Sequence, residues 1–376
     1  MLKTADDYTG SLPYPYEKLG SPAGLLFFDI ETTGLSARTS HLYLIGCLFT
    51  DGRTFHLKQW FATDPGEEKE VLTAFSDYLK TLPESCLLLH FNGNVFDLPY
   101  LRHRMERFRL PFLPDRFQSM DLYRSLRPYK AVLGLPSLRQ KAVESYLGIV
   151  RTDPFDGGQL IAVYEDYVSS RSDLGLKALL LHNAEDVRNM PKLLAALSIS
   201  DYMEADYSLM SLTRHEATSF DGSPREELLV ALQSPVALRR PISLRLPYGP
   251  YLTASKDRIR LAVPLQCLTL RHYFPNVKDY FYLPHEDRAV HKSVGIYVDK
   301  EHRQKAVKDN CYIKKSGLFF PCPPGLIPPE ESCATFMTDR RDKNYYLEWN
   351  PPTDIGQVAD TQEFWNRYVH ALWNSR

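Results

Sequence analysis

The stretch LLFFDIETTG, residues 25–34, constrains this chain more than any other. Leu25, Leu26, Phe27 and Phe28 are apolar without alternation, which reads as a strand covered on both faces. The same strand ends in Asp29 and Glu31. Residues i and i+2 of a strand point to one side, so both carboxylates leave the tip together. An unpaired carboxylate in an apolar setting is costly or takes up a proton, and two side by side cost more. Hard divalent cations with oxygen ligands, Mg²⁺ or Mn²⁺, resolve that conflict. On this stretch alone, a strand whose last residues are simply wet is the alternative. The Thr32–Thr33–Gly34 turn then takes the chain away and leaves backbone amides near the tip.

The neighbouring segments give the strand its company. HLYLIGCLF (41–49) and TFHLKQWF (54–61) read as strands joined at Asp51–Gly52, a two-residue hairpin signal. The three strands form an antiparallel meander. In EEKEVLTAFSDYLKTL, Val71, Leu72, Phe75, Tyr78, Leu79 and Leu82 recur at helical spacing. CLLLHF (86–91) is apolar on both faces, hence central and parallel to the first strand. A helix opens near Asp97. Further helices lie in SLRQKAVESYLG, GGQLIAVYEDYVSS and DLGLKALLLHNAEDVRNM, the last ended or kinked by Pro191. Near 200–210 the pattern changes to strands: PISLRL, YLTAS, IRLAV, CLTLRHYF, HKSVGIYV, CYIKKSGLFF and NYYLEW, with Pro-rich loops such as PCPPGLIPPEE. A chain of 376 residues exceeds what one core usually serves. The expected architecture is therefore α/β: a mixed sheet of three antiparallel strands plus parallel strands, flanked by helices. An N-terminal extension (1–23) precedes that domain (24–200), and a β-rich domain (205–376) follows it.

Two further segments carry acids. In HFNGNVFDLPYL (90–101), the fourth strand ends at Phe91, Asn92–Gly93–Asn94 turns, and Asp97 sits in the opening turn of the next helix. Sites in α/β layers form beyond the C-terminal ends of neighbouring strands. If the fourth strand lies beside the first, Asp97 faces Asp29 and Glu31; a plain helix N-cap is the alternative. In LLHNAEDVRNM (180–190), His182 and Asp186 share a helix face one turn apart. By themselves they also suit a solvated surface.

Taken in order, the three segments resemble the DEDD superfamily of 3′–5′ exonucleases, built on a ribonuclease H-like fold. Asp29 and Glu31 in FDIETTG match its first motif. NGNVFDLPYL matches the second as seen in family B polymerase proofreading domains, including Asn92 five residues before Asp97. The third motif is Tyr-x3-Asp or His-x4-Asp on the last helix; here His182 and Asp186 combine histidine with the tyrosine's spacing. The sequence also resembles the YprB-like ribonuclease H-like proteins, over about residues 24–198. The resemblance implies phosphodiester hydrolysis at the 3′ end of single-stranded DNA or RNA by a two-metal mechanism. It implies that Asp29 bridges two Mg²⁺ or Mn²⁺ ions, that Glu31 and Asp186 complete one, and that Asp97 holds the other. His182 orients or deprotonates the attacking water, provided that it is neutral near pH 7. The resemblance also implies that Thr32, Thr33, Gly34 and Leu35, with Asn92, contact the terminal nucleotide.

Other features are weaker. Asp121, in SMDLYR, reads as structural. His285 and His291 fit no common metal-ligand spacing. Arg258 and Arg260 alternate with Ile259 and Leu261, as a solvated strand face or one that tracks a nucleic-acid backbone would. Net charge is −1, but residues 231–320 hold 16 Lys/Arg against 7 Asp/Glu, the kind of stretch that meets phosphates. The cysteines at 47, 86, 267, 311, 322 and 333 form no CxxC and suggest reduced thiols in a cytoplasmic protein. No apolar run reaches the length of a membrane span. Two rival readings share these residues: a nucleic-acid-binding module with vestigial catalysis, and a phosphodiesterase acting on small nucleotides.

Overall fold

The structure is a computed structural model that describes residues 1–218, 222–327, 335–349 and 358–375. It divides into two compact units, Met1–Ile199 and Ser200–Arg376. Cys333 and the end of the Pro-rich segment at 321–331 lie outside the described residues. The five described cysteines are free thiols.

The first unit is built on a six-stranded mixed sheet. Its strands are β1 (Leu2–Thr9), β2 (Leu25–Thr32), β3 (Leu42–Thr50), β4 (Thr54–Phe61), β5 (Leu87–His90) and β6 (Gln118–Asp121), in the order β1-β4-β3-β2-β5-β6. β2, β3 and β4 are the antiparallel meander, and β5 and β6 run parallel to β2. Asp51 Oδ1 accepts from the amides of Arg53 and Thr54 and closes the β3–β4 turn, with Gly52 at φ 95°. β1 pairs with β4 along its whole length. Leu2–Thr9 alternates too weakly to announce a strand, so only the partner edge makes it one.

The apolar run of the sequence becomes the centre of the core. Leu25 to Phe28 are buried in β2, covered by helices on both faces of the sheet. Helix α1 (Glu68–Lys80) lies against β3 and β4 and buries Val71, Leu72, Phe75 and Leu79. A free helix of that length is marginal in water. Burying four such side chains, at about 1.5–3 kcal/mol each, is what holds it. Helix α2 (Asp97–Arg107) follows β5, and short α3 (Leu122–Leu126) follows β6. Helices α4 (Gln140–Leu147), α5 (Gly157–Ser170) and α6 (Asp173–Leu193) complete the unit, and α6 crosses β2, β3 and β4. Pro191 does not break α6 at once: the helix runs two residues further, then tightens to 3-10 turns over Leu194–Leu197.

The second unit is mostly β. Its long strand, β11 (Arg258–Tyr273), merges IRLAV and CLTLRHYF into one element. β11 pairs with β8 (Pro224–Gln233) and β10 (Tyr251–Ser255) through its first half and with β15 (Tyr312–Cys322) through its second. HKSVGIYV is not a strand: His291 accepts from the Ser293 amide and starts a helical turn at Lys292–Gly295. A side-chain cap competes with strand pairing there. A strand at Ser208–Thr218 and a helix at Val358–Asn374 escaped the sequence reading, although Trp365, Tyr368, Val369, Leu372 and Trp373 recur at helical spacing and are buried.

Candidate active site

The tip of β2 is shaped by a bulge. Glu31 pairs with Leu44 and Thr32 with Leu42, so Tyr43 of β3 has no opposite number. Such slips re-aim side chains and are common beside active sites. Asp29, partly buried, and Glu31, buried, leave the sheet here. Asp97 is the first residue of α2 rather than its cap, and its Oδ1 accepts from the Ile30 amide at 3.3 Å. The fourth-strand acid therefore meets the first-strand tip because β5 lies beside β2. From the other face α6 brings His182 and Asp186: His182 Nε2 stands 3.3 Å from Asp186 Oδ2 and 3.8 Å from Glu31 Oε1. Donor atoms of Glu31, His182 and Asp186 all lie within 4.8 Å of one another.

This gathering is electrostatically uncomfortable. Burial first, then Asp186, Glu31 and Asp97, push the Asp29 carboxyl well above the usual range, against an Asn183 hydrogen bond that lowers it. Glu31 is raised likewise by burial, Asp186, Asp97 and Asp153, with Arg151 opposing. Burial raises Asp97 to about 7, partly offset by the amides of Asp97 itself and Ile30. Glu31 Oε1 is buried with no hydrogen-bond partner. Buried polar atoms are normally satisfied. Clustered oxygen donors, raised carboxyl groups and one orphaned oxygen could hold a divalent cation, whose charge would offset them.

Residues 26–198 match the sequence model of the RNase_H superfamily. This segment is an RNase H superfamily domain. Among solved structures, the chain is similar to a family B DNA polymerase from the hyperthermophilic archaeon Pyrobaculum calidifontis. The identity is 13%, over 94% of this chain and 46% of that one, with a TM-score of 0.40. It is also similar to E. coli exonuclease I in complex with a dT13 oligonucleotide, at 14% identity over 57% of this chain and 56% of that one, with a TM-score of 0.31. The zinc-bound E. coli exonuclease I–ssDNA complex gives 16% identity, 57% and 55% coverage and a TM-score of 0.30. The chain spans about half the length of these proteins. No curated protein sequence matches it.

Several residues of the RNase H-like unit escaped the sequence reading. Asp153 Oδ2 accepts from His182 Nδ1 at 2.7 Å, both side chains buried. Burial works to raise Asp153, but the Phe155 amide, His182 and Lys141 outweigh it and hold the carboxyl below its usual range. Arg151 puts Nη1 2.5 Å from Asp186 Oδ1 and 3.1 Å from Glu144 Oε1, and its Nε is 3.4 Å from Glu185 Oε2. Asn183 donates to Asp29 Oδ2 at 3.0 Å and accepts from Gln59 Nε2 at 3.0 Å. Gly46 faces Asp29 across the sheet, and a Cβ there would fall 2.0 Å from Asn183 Oδ1. Nothing in the spacing of these residues marks them. Only the adjacency of Asn183 to His182 offered a hint.

The turn after β2 is mostly committed to its own structure. Thr32 Oγ1 donates to the Gly34 carbonyl at 2.9 Å, and Thr33 Oγ1 accepts from the His41 amide at 2.9 Å. Leu35, four residues past Glu31, is 86% exposed, a bare apolar side chain. Asn92 adopts φ 64°, with its amide held by Asp121 Oδ1 at 2.9 Å. Asp121 also takes the Asn94 and Tyr123 amides, so it builds the turn and the cap of α3. In the second unit, His291 caps its helical turn and His285 stands ring to ring with His302 at 5.5 Å. Among the described residues, the metal-type cluster found is at Glu31, His182 and Asp186. Arg258 and Arg260 are exposed on β11, with Ile259 and Leu261 buried between.

Proposed function

We propose that the RNase H-like unit is a metal-dependent nuclease, hydrolysing phosphodiester bonds at the 3′ end of single-stranded DNA or RNA. The observation that carries this reading is the convergence of Asp29, Glu31, Asp97 and Asp186 from three distant segments around an orphaned Glu31 oxygen. Those four carboxylates would hold a pair of divalent cations, Mg²⁺ or Mn²⁺. Bound there, such cations would lower the pKa of a water and offset charge on the departing 3′ oxygen.

The chain's own part follows from its contacts. Asp153 accepts the His182 Nδ1 proton, which leaves Nε2 as the ring atom facing Glu31 and Asp186. From there His182 takes the proton of the attacking water. Asn183 fixes the Asp29 carboxylate, and Gln59 fixes Asn183. Leu35 packs against the terminal base, and Asn92 contacts its sugar-phosphate.

The test is release of label from 3′-labelled single-stranded DNA and RNA in Mn²⁺ or Mg²⁺, with Asp29→Ala and Asp97→Ala as controls. Survival of the labelled end on every strand in both metals would sink the proposal. The vestigial reading draws on one observation, the engagement of Asp186 by Arg151. Titration with Mn²⁺ separates the two, since a site locked by Arg151 takes up no paired cations.

A further inference from the structure

Beside the acids, α3, the chain after it and the start of α4 frame an open groove of about 730 Å³. Sites that seat a small ligand run from about 300 to 1,000 Å³. Two aromatic rings, Phe91 and Tyr123, line it edge to face, their centroids 6.2 Å apart. Three cations line it too: Arg127, Lys130 and Arg139, all exposed. No carboxylate lines the groove, and none of the three cations forms an ion pair among the described residues. Two of the lining residues tie the groove to the acid cluster. Gln140 lines it and donates Nε2 to the Asp186 carbonyl at 3.0 Å, and Asn92 lines it from the motif that ends in Asp97.

We propose that this groove seats the nucleotides immediately 5′ of the scissile bond of a single strand. The inference rests on the nuclease reading above and adds where the rest of the strand lies. The acid cluster cannot attract the phosphates upstream of the bond, because its own charge is negative. Unopposed Arg and Lys side chains next to it supply the complementary field. Tyr123 and Phe91 offer faces and edges against which any base stacks, which suits a strand without sequence preference. An acidic peptide would meet the same cations but has no use for the rings.

The experiment compares thymidylyl-thymidine with dT10 and rU10 in Mn²⁺, for wild type and the Arg127→Ala/Lys130→Ala/Arg139→Ala variant. Circular dichroism checks folding of the variant, and an Arg127→Lys/Arg139→Lys variant keeps the charge. The expected result is at least a tenfold loss of kcat/KM on the ten-residue strands, little change on the dinucleotide, and recovery in the lysine variant. Equal losses on both lengths, or none, would overturn the groove. If wild type cleaves nothing, the nuclease reading fails and the groove is judged by binding alone. Anisotropy of fluorescein-labelled dT10 then reads the slope of log Kd against log salt. Each phosphate contact contributes about 0.7, so losing three flattens the slope by about 2. Identical slopes, or competition by poly-glutamate as strong as by dT10, would remove the proposal.

Discussion

His182 presents its two ring nitrogens to different neighbours. Nδ1 donates to a buried carboxylate, Asp153, while Nε2 looks at Glu31 and Asp186. Replacing Asp153 by Asn offers Nδ1 an amide N–H as well as an oxygen, so the ring can settle in the wrong tautomer. Asp153→Asn should lower kcat by about 100-fold with KM nearly unchanged, and should shift the pH profile. An unchanged kcat would leave Asp153 a purely structural residue. The carboxylates make a second forecast at this scale. Burial pushes Asp97 up to about 7 in the folded protein against 3.8 for a free side chain, and Asp29 and Glu31 are raised in the same direction. A raised carboxyl binds its proton more tightly folded than unfolded. Metal-free stability is therefore fullest below the free value and falls as pH rises from about 4 through about 7. Mn²⁺ should raise Tm more at pH 8 than at pH 5. Asp29→Asn should stabilise the metal-free protein at pH 8 by about 0.5–2 kcal/mol while abolishing hydrolysis. A Tm gain from Mn²⁺ that is the same at both pH values would contradict this.

At the scale of elements, the cluster depends on what holds α6 over the sheet. Arg151, in the link between α4 and α5, places one buried guanidinium among Glu144, Glu185 and Asp186. Removing one partner of a buried ion pair leaves charge uncompensated, at about 3–5 kcal/mol. Arg151→Gln should lower the unfolding free energy of the chelated protein by that amount, and Mn²⁺ should restore part of the loss by neutralising Asp186 instead. Chemical denaturation with and without metal checks it, and equal stability of wild type and variant would show that Arg151 is dispensable. The sheet contributes its own support. Gly46 leaves room for Asn183, and Gln59 of β4 donates to both Asn183 and the Leu180 carbonyl. Thr4 of β1 donates in turn to Gln59 at 3.1 Å, so the edge strand at the N-terminus reaches Asp29 through two amides.

At the scale of the molecule, every residue that builds the candidate site lies in the Met1–Ile199 unit. That unit buries its own core, centred on β2 and its neighbours. Residues 1–199 produced alone should fold cooperatively and keep hydrolysis of a dinucleotide. Loss of the folded state on truncation, seen by circular dichroism, would show that the unit needs Ser200–Arg376 to stand. The β-rich unit was legible in its strands and not in their joining. IRLAV and CLTLRHYF fuse into one strand because β8 and β10 extend the first half of β11 and β15 the second. HKSVGIYV had strand composition, but a capped turn at His291 claimed it first.

Around the candidate site, the sequence alone determined the local elements and the faces their residues occupy, as β2, α2 and α6 show. A short apolar run without alternation, bounded by turn residues, reads as a central strand, and residues two apart at its end leave it on one side. Helical spacing likewise put His182 and Asp186 on one face. Those are properties of neighbours along the chain, fixed by backbone geometry. Tertiary structure alone decided which side chains meet across long separations: Asn183 with Asp29 over 154 residues, and Asp153 with His182 over 29. Such meetings follow from how helices and strands pack, and no local period encodes them.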